Sequence, residues 1–311
     1  METNTHFPRP IDGLTIDHRQ ELVLIGSCFS TNLHQRLKRA GLRSVSNPFG
    51  VVFHPIMLAK CIDDSLNPGH ERLLRSDDVW LSWDTGSEVY AMSEPVLEDR
   101  LKVIRTELKL AMERSGVLII TLGSAHGYRL KTTGELVANC HKQPGAAFEK
   151  ELSETGEMLA AWRHTLGQLK RLFPNLHIVF TVSPVRYSRD GLMENNRSKA
   201  RLFELVQQLQ NEFPVGYFPA YELINDLLRD YRYFEQDGVH PNQLAVDEVW
   251  KLFRSWYFNT ETLALTDEME ALRKMGEHRL LFPESRKAQQ FQQSFQEKRE
   301  SFLSLYPFIS W

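Results

Sequence analysis

Two short segments hold side chains of the types that carry out nucleophilic catalysis. In GSCFS (26–30) a hydroxyl, Ser27, and a thiol, Cys28, stand side by side directly after the apolar run ELVLIG (21–26). In EQDGVHPN (235–242) a carboxylate, Asp237, and an imidazole, His240, are three residues apart in a segment with turn residues Gly238 and Pro241. A carboxylate and an imidazole at that spacing can face one pocket, with His240 as general base and Asp237 holding the other ring nitrogen. Each segment also has a plainer reading. Serine is a preferred helix cap, so Ser27 or Ser30 can simply satisfy free N–H groups over a buried Cys28. Asp237 can likewise cap a turn, leaving His240 as a surface residue before a proline.

The elements that must position these residues follow from periodicity. ELVLIG reads as a buried strand that ends on Gly26 and turns at once into a helix, where Leu33 and Leu37 repeat at helical spacing up to Gly41. A strand that turns so sharply presents its next side chains at the sheet edge, under helix-terminal amides that stabilise negative charge. Further buried strands are expected at GVLIITLG (116–123), HIVFTVSP (177–184) and VGYFP (215–219), alternating with helices over 54–65, 95–114, 148–172, 195–212, 220–230 and 242–258. VWLSWDTGSEVYAM and YRLKTTGELVANCHKQP read as hairpins, the second turning at Thr133-Gly134. Strands separated by helices call for a parallel sheet covered on both faces, with ligands at the carboxyl ends of the strands.

With 311 residues, 42% hydrophobic and 25% charged, the chain can build a sizeable core. A net charge of −3 without a long Lys/Arg run gives no reason to expect nucleic acid or a membrane as partner. No basic, apolar leader opens METNTHFPRPIDG, and no stretch approaches the roughly 18 apolar residues of a membrane span. Cys28, Cys61 and Cys140 lack C-x-x-C spacing and suggest neither disulfides nor zinc, so a reduced, cytoplasmic protein without metal or other cofactor is expected. From Asn259 onward the chain is charged and Gln-rich with a break at Pro283. Residues 1–258 are therefore read as one α/β domain, and 259–311 as a helical extension packed on it or on a second subunit, a homodimer being one outcome.

Taken together, a nucleophile after the first strand and D-x-x-H before the last helix of the α/β domain stand in the chain order of SGNH, or GDSL-like, hydrolases. The sequence resembles that superfamily, and within it the GSCFA family, through GSCFS, NPFGVVFHP (47–55), TLGSAHGY (121–128), VANCHKQP (137–144), TVSPVRY (181–187), NNRSKA (195–200) and DYRYFEQDGVHPN (230–242). The resemblance implies a flavodoxin-like three-layer α/β/α sandwich. It also implies an acyl hydrolase, an esterase with a Cys/Ser-His-Asp triad acting on a small-molecule or carbohydrate ester; a thiol-dependent acyltransferase and a non-catalytic binding module are the alternatives. Laid on G-D-S-L, the register places Ser27 at the usual Asp and Cys28 at the nucleophile. Ala125 falls where an oxyanion-binding Asn is usual. Gly50, as a backbone donor, and Asn139 and His141, on the neighbouring hairpin, are the candidates for that work; the plain readings are a turn glycine, a turn asparagine and an exposed imidazole. Arg186 and Lys199 can bind a substrate anion, although the default for each is a solvated or paired charge.

Overall fold

The computed structural model describes residues 7–8 and 13–311, so the amino-terminal stretch read above for a leader lies largely outside the described residues. In chain order the elements are β1 (Glu21–Gly26), α1 (Cys28–Arg39), β2 (Arg43–Ser46), α2 (Pro55–Leu66), β3 (Leu73–Ser76), β4 (Val79–Ser82), β5 (Tyr90–Ala91), α3 (Glu94–Arg114), β6 (Ser115–Leu122), β7 (His126–Leu130), β8 (Leu136–Val137), β9 (Phe148–Leu152), α4 (Thr155–Leu172) and β10 (His177–Val182). They continue with α5 (Leu192–Glu212), β11 (Val215–Phe218), α6 (Ala220–Glu222), which runs into a π-helical turn at Leu223–Leu228, α7 (Gln243–Tyr257), α8 (Thr260–Gly276) and α9 (Arg286–Leu305).

Five strands pair in parallel in the order β11-β10-β6-β1-β2. The chain winds outward from β1 to β2, then crosses back to β6 on the other side of β1. That reversal opens a crevice beyond the carboxyl ends of β1 and β6, where doubly wound sheets take their ligands. Alternation along β1 shows how the layers form. Val23 and Ile25 join the core made with α2, α3, α4 and α5, whereas Leu22 and Leu24 point to the opposite core with α1 and α7. Successive side chains of a strand leave on opposite faces, so an uninterrupted apolar strand demands helices on both sides. The result is a three-layer α/β/α arrangement.

Two small antiparallel sheets, β3-β4-β5 and β8-β7-β9, grow out of the connections around β6. The second differs from the sequence expectation. The helix expected from Phe148 begins only at Thr155, and Phe148–Leu152 instead pairs with His126–Leu130. A neighbouring strand edge with unpaired amides outweighed the weak helical preference of this segment.

The extension folds back on its own chain. Asn259 caps α8 through a bond from Thr262 N at 2.8 Å, and Thr262 Oγ1 donates to Ile16 O at 3.1 Å. Leu265, Met269, Leu272, Phe302 and Ile309 form a third apolar cluster. Ser310 N donates to Gly41 O at 2.8 Å, at the end of α1. Among the described residues, no helix is long and apolar enough to cross a membrane.

Candidate active site

GSCFS sits where the crevice opens, and each residue of it is placed by a separate physical constraint. Gly26 adopts φ +133°, and a Cβ there would lie 2.2 Å from Thr121 O of β6, so no side chain fits. Its N–H donates to Asn47 Oδ1 at 2.8 Å, which ties the end of β1 to the loop after β2. Ser27 is the N-cap of α1; its Oγ accepts from Phe29 N at 3.3 Å, and the residue is buried. Ser30 is also buried, in a hydroxyl pair with Thr121 at 2.8 Å. Cys28 is the first helical residue and is half-buried.

Cys28 and Ser27 line an open cleft of about 610 Å³. Val51 and Phe53 come to it from the loop after β2, Gly123 and Ser124 from the end of β6, and Ser183, Val185, Arg186 and Tyr187 from the end of β10. Burial pushes the Cys28 thiol above its ordinary pKa, while the N–H groups of Cys28 and Phe29 and the charge of Lys199 pull it down. The thiol at rest is therefore protonated at neutral pH and needs a base to become a nucleophile.

Lys199, one of the residues with a default reading as a solvated charge, is fully buried beneath this cleft. Its Nζ donates to Gly123 O and to Ser183 O, each at 2.7 Å, and so fastens the strand-end loops after β6 and β10 to each other. Its Nζ also lies 5.6 Å from the centre of the Tyr221 ring. Burial pushes its pKa down to about 7, and the nearby Cys28 works in the opposite direction. The sequence signal for this role is its position, at helical spacing with buried Leu202 and Val206 on α5.

Asp237 and His240 are paired on an exposed loop. His240 Nδ1 donates to Asp237 Oδ2 at 2.6 Å, with the two side chains 53% and 48% exposed. The N–H of His240, its ring N–H and the N–H of Val239 hold Asp237 down at about 2. The loop is stapled by Asn242, whose amide donates to Arg232 O and Phe234 O while its Oδ1 caps α7. Neither Asp237 nor His240 lines the cleft, and His240 is not hydrogen-bonded to Cys28. Their loop borders it: Arg186 donates to Asn225 Oδ1 at 3.0 Å and to Gly238 O at 3.5 Å. Pro241 meets Phe29 and Val185 in an adjoining hollow.

The three residues considered for the oxyanion are occupied in other ways. Gly50 has φ +73°, its N–H donates to Asn47 O at 2.8 Å, and a Cβ would strike Glu88, so it serves a turn. Asn139 accepts from His141 N at 2.7 Å and lines a neighbouring groove rather than the cleft. His141 is buried rather than exposed: it donates from Nε2 to Ser82 O at 2.7 Å and packs against Trp83. Its ring is kept below the ordinary histidine pKa by burial. Ala125 is buried and its N–H donates to Ser198 Oγ at 2.8 Å. One residue not singled out by spacing is His126, buried beside Tyr187 with Nε2 3.8 Å from Glu194 Oε2, its pKa lowered by burial.

The family model described as the GSCFA family matches residues 21–253, well over half of the chain. The chain belongs to the GSCFA family. The matched span begins with β1 and ends within α7, so the family region takes in the whole parallel sheet, Cys28 and the Asp237–His240 loop. It leaves out α8 and α9. No curated protein matches the chain.

Proposed function

We propose that this GSCFA-family protein is an acyl hydrolase or acyltransferase of the SGNH type, with Cys28 as nucleophile and His240, held by Asp237, as base. The observation that carries the proposal is the placement of Cys28. It is the one thiol at the head of the first helix, facing a cleft at the reversal of strand order, while its neighbour Ser27 is committed to capping.

His240 Nε2 takes the thiol proton, and Cys28 Sγ attacks the acyl carbonyl of an ester. The C–S bond forms, the C–O bond breaks, and the departing alkoxide receives the proton from His240. Water, or an acceptor alcohol or amine, then attacks the thioester with His240 again as base and restores the thiol. In the resting arrangement His240 stands outside hydrogen-bonding reach of Cys28. The step therefore needs its loop to close on the cleft through the Arg186 contacts; unoccupied sites are commonly looser than occupied ones. With Ala125 in place of an amide side chain, the N–H of Cys28, first in α1 and without an intrahelical acceptor, is the donor for the oxyanion. A missing donor costs about 10²–10³ in rate, which favours slow turnover or transfer to a specific acceptor.

The test is peptide mass spectrometry after brief exposure to an activated acetyl ester, with wild type and His240→Ala in parallel. An acetyl group on Cys28 in the wild type and absent from the variant supports covalent catalysis. An adduct on neither Cys28 nor Ser27 leaves the binding-module reading in its place.

A further inference from the structure

A second, larger groove of about 1200 Å³ adjoins the Cys28 cleft and shares Phe53 and Tyr187 with it as a common wall. Among the described residues, its lining contains three cations, Lys142, Lys150 and Arg189, and no carboxylate. In a chain with 40 acidic and 37 basic residues, such sorting of charge at one place stands out from the surface around it. Lys142 and Arg189 are exposed and, among the described residues, neither takes part in an ion pair, whereas Arg72, Arg105, Arg129 and Arg163 do. Lys150 Nζ lies 5.1 Å from the centre of the Tyr187 ring and 5.8 Å from that of Tyr128. The two tyrosine hydroxyls are themselves hydrogen-bonded at 3.2 Å.

The backbone that presents Lys142 is held stiffly. His141 and Lys142 have successive left-handed φ values of +48° and +57°, which non-glycine residues keep only where their surroundings impose them. Here Asn139 Oδ1 takes the N–H of His141, and His141 Nε2 is anchored on Ser82 O of β4. Ala138 N donates to Trp83 O at 2.7 Å and Gln143 N to Cys140 O at 2.9 Å. Asn139 thus lines the groove, His141 braces the turn behind it, and neither lines the Cys28 cleft.

Resting on the acyl-transfer reading, we infer that this groove is the subsite for the alcohol part of the ester, and that this part carries a phosphate or carboxylate. Arg189 offers a planar fork and Lys142 a point charge, the two donor types that hold such anions. With the acyl group at Cys28, Tyr187 marks the boundary between the acyl side and the anionic side of the substrate.

Binding is measured first, in the full chain carrying Cys28→Ala, by calorimetry at low salt with a hexose phosphate, a hexuronate and the uncharged hexose as probes. At least one charged probe binds about tenfold more tightly than the hexose, and Lys142→Gln with Arg189→Gln removes that advantage. The ranking of the two charged probes says whether phosphate or carboxylate is preferred. Equal binding of all three, or an advantage that survives the double substitution, overturns the subsite. Acylation is measured second, as the ratio of rates for a carboxylate-bearing nitrophenyl acetate and plain 4-nitrophenyl acetate. The ratio exceeds one in the wild type and falls in the double variant. If the charged probes bind through Lys142 and Arg189 but Cys28 is never acylated, the anion site stands and the acyl-transfer reading falls. Acylation of Cys28 with no preference for the charged ester overturns the subsite alone.

Discussion

At the scale of single residues, GSCFS divides its work between two adjacent side chains. Ser27 spends its oxygen on the helix, and Cys28 spends none of its sulfur on structure. Cys28→Ala therefore abolishes the acetyl adduct. Ser27→Ala retains it and lowers stability by about 1 kcal/mol, the cost of a lost N-cap, measured by urea unfolding. Lys199 behaves as a buried base whose folded pKa, about 7, lies below the ordinary lysine value of 10.5. Between those values the unfolded chain binds more protons than the folded one, so this group makes stability rise with pH from about 7 upward and withholds that gain as pH falls to 7. Lys199→Met has no such group. Its stability relative to wild type should be more favourable at pH 7 than at pH 9, by about 2 kcal/mol, less than two full units at 1.36 kcal/mol each because the folded amine is still half protonated at pH 7. Equal differences at both pH values would show that the amine is not perturbed by folding.

At the scale of elements, the site depends on two joints. The first is the contact between Gly26 and Thr121. Gly26→Ala forces a Cβ into a backbone carbonyl at a φ reserved for glycine, which should cost roughly 3 kcal/mol or more. Gly134 has φ +71° with open space around it, so Gly134→Ala is the control, at about 1 kcal/mol. Thermal melts of both variants separate steric collision from backbone strain. The second joint is Asn242, which caps α7 and holds two carbonyls of the His240 loop. Asn242→Ala loses all of these bonds, should cost about 2 kcal/mol, and should slow Cys28 acylation more than that loss of folded protein explains. The hairpin after β6 is a third, smaller case. Thr133-Gly134 was readable as its turn because glycine favours turns, and in the structure Gly134 N returns to Leu130 O at 2.7 Å. Its third strand was not readable, because Phe148–Leu152 becomes a strand only when β7 lies beside it.

At the scale of the whole molecule, the carboxyl-terminal helices bear on α1 from the side opposite the cleft. Ile309 reaches Gly41, where an added Cβ would meet its Cγ2 at 2.7 Å. Trp311 is covered by the guanidinium groups of Arg273 and Arg299, at 5.0 and 4.5 Å from its ring. Ile309→Ala leaves a small cavity against α1 and should lower stability by about 2 kcal/mol, with little change in Cys28 acylation per folded molecule. A large loss of acylation in that variant would mean that the extension sets the position of α1 and hence of Cys28.

What the sequence determined by itself was local and periodic. Apolar runs between amphipathic helices imply a parallel sheet covered on both sides, and a glycine-ended strand before Ser27-Cys28 implies a nucleophile-capable turn at its edge. The Asp237–His240 pair was legible for the same reason, since three residues across a Gly-containing turn bring a carboxylate to an imidazole. The tertiary structure decided everything that depends on distant chain segments. Lys199 could be solvated or buried until α5 was laid under the loops after β6 and β10. Gly50, Asn139 and His141 were plausible donors by type until their hydrogen bonds were assigned elsewhere. Hydrogen bonds are short-ranged and exclusive, so a donor's partner is set by which atoms come within about 3 Å, and no pattern along the chain encodes that.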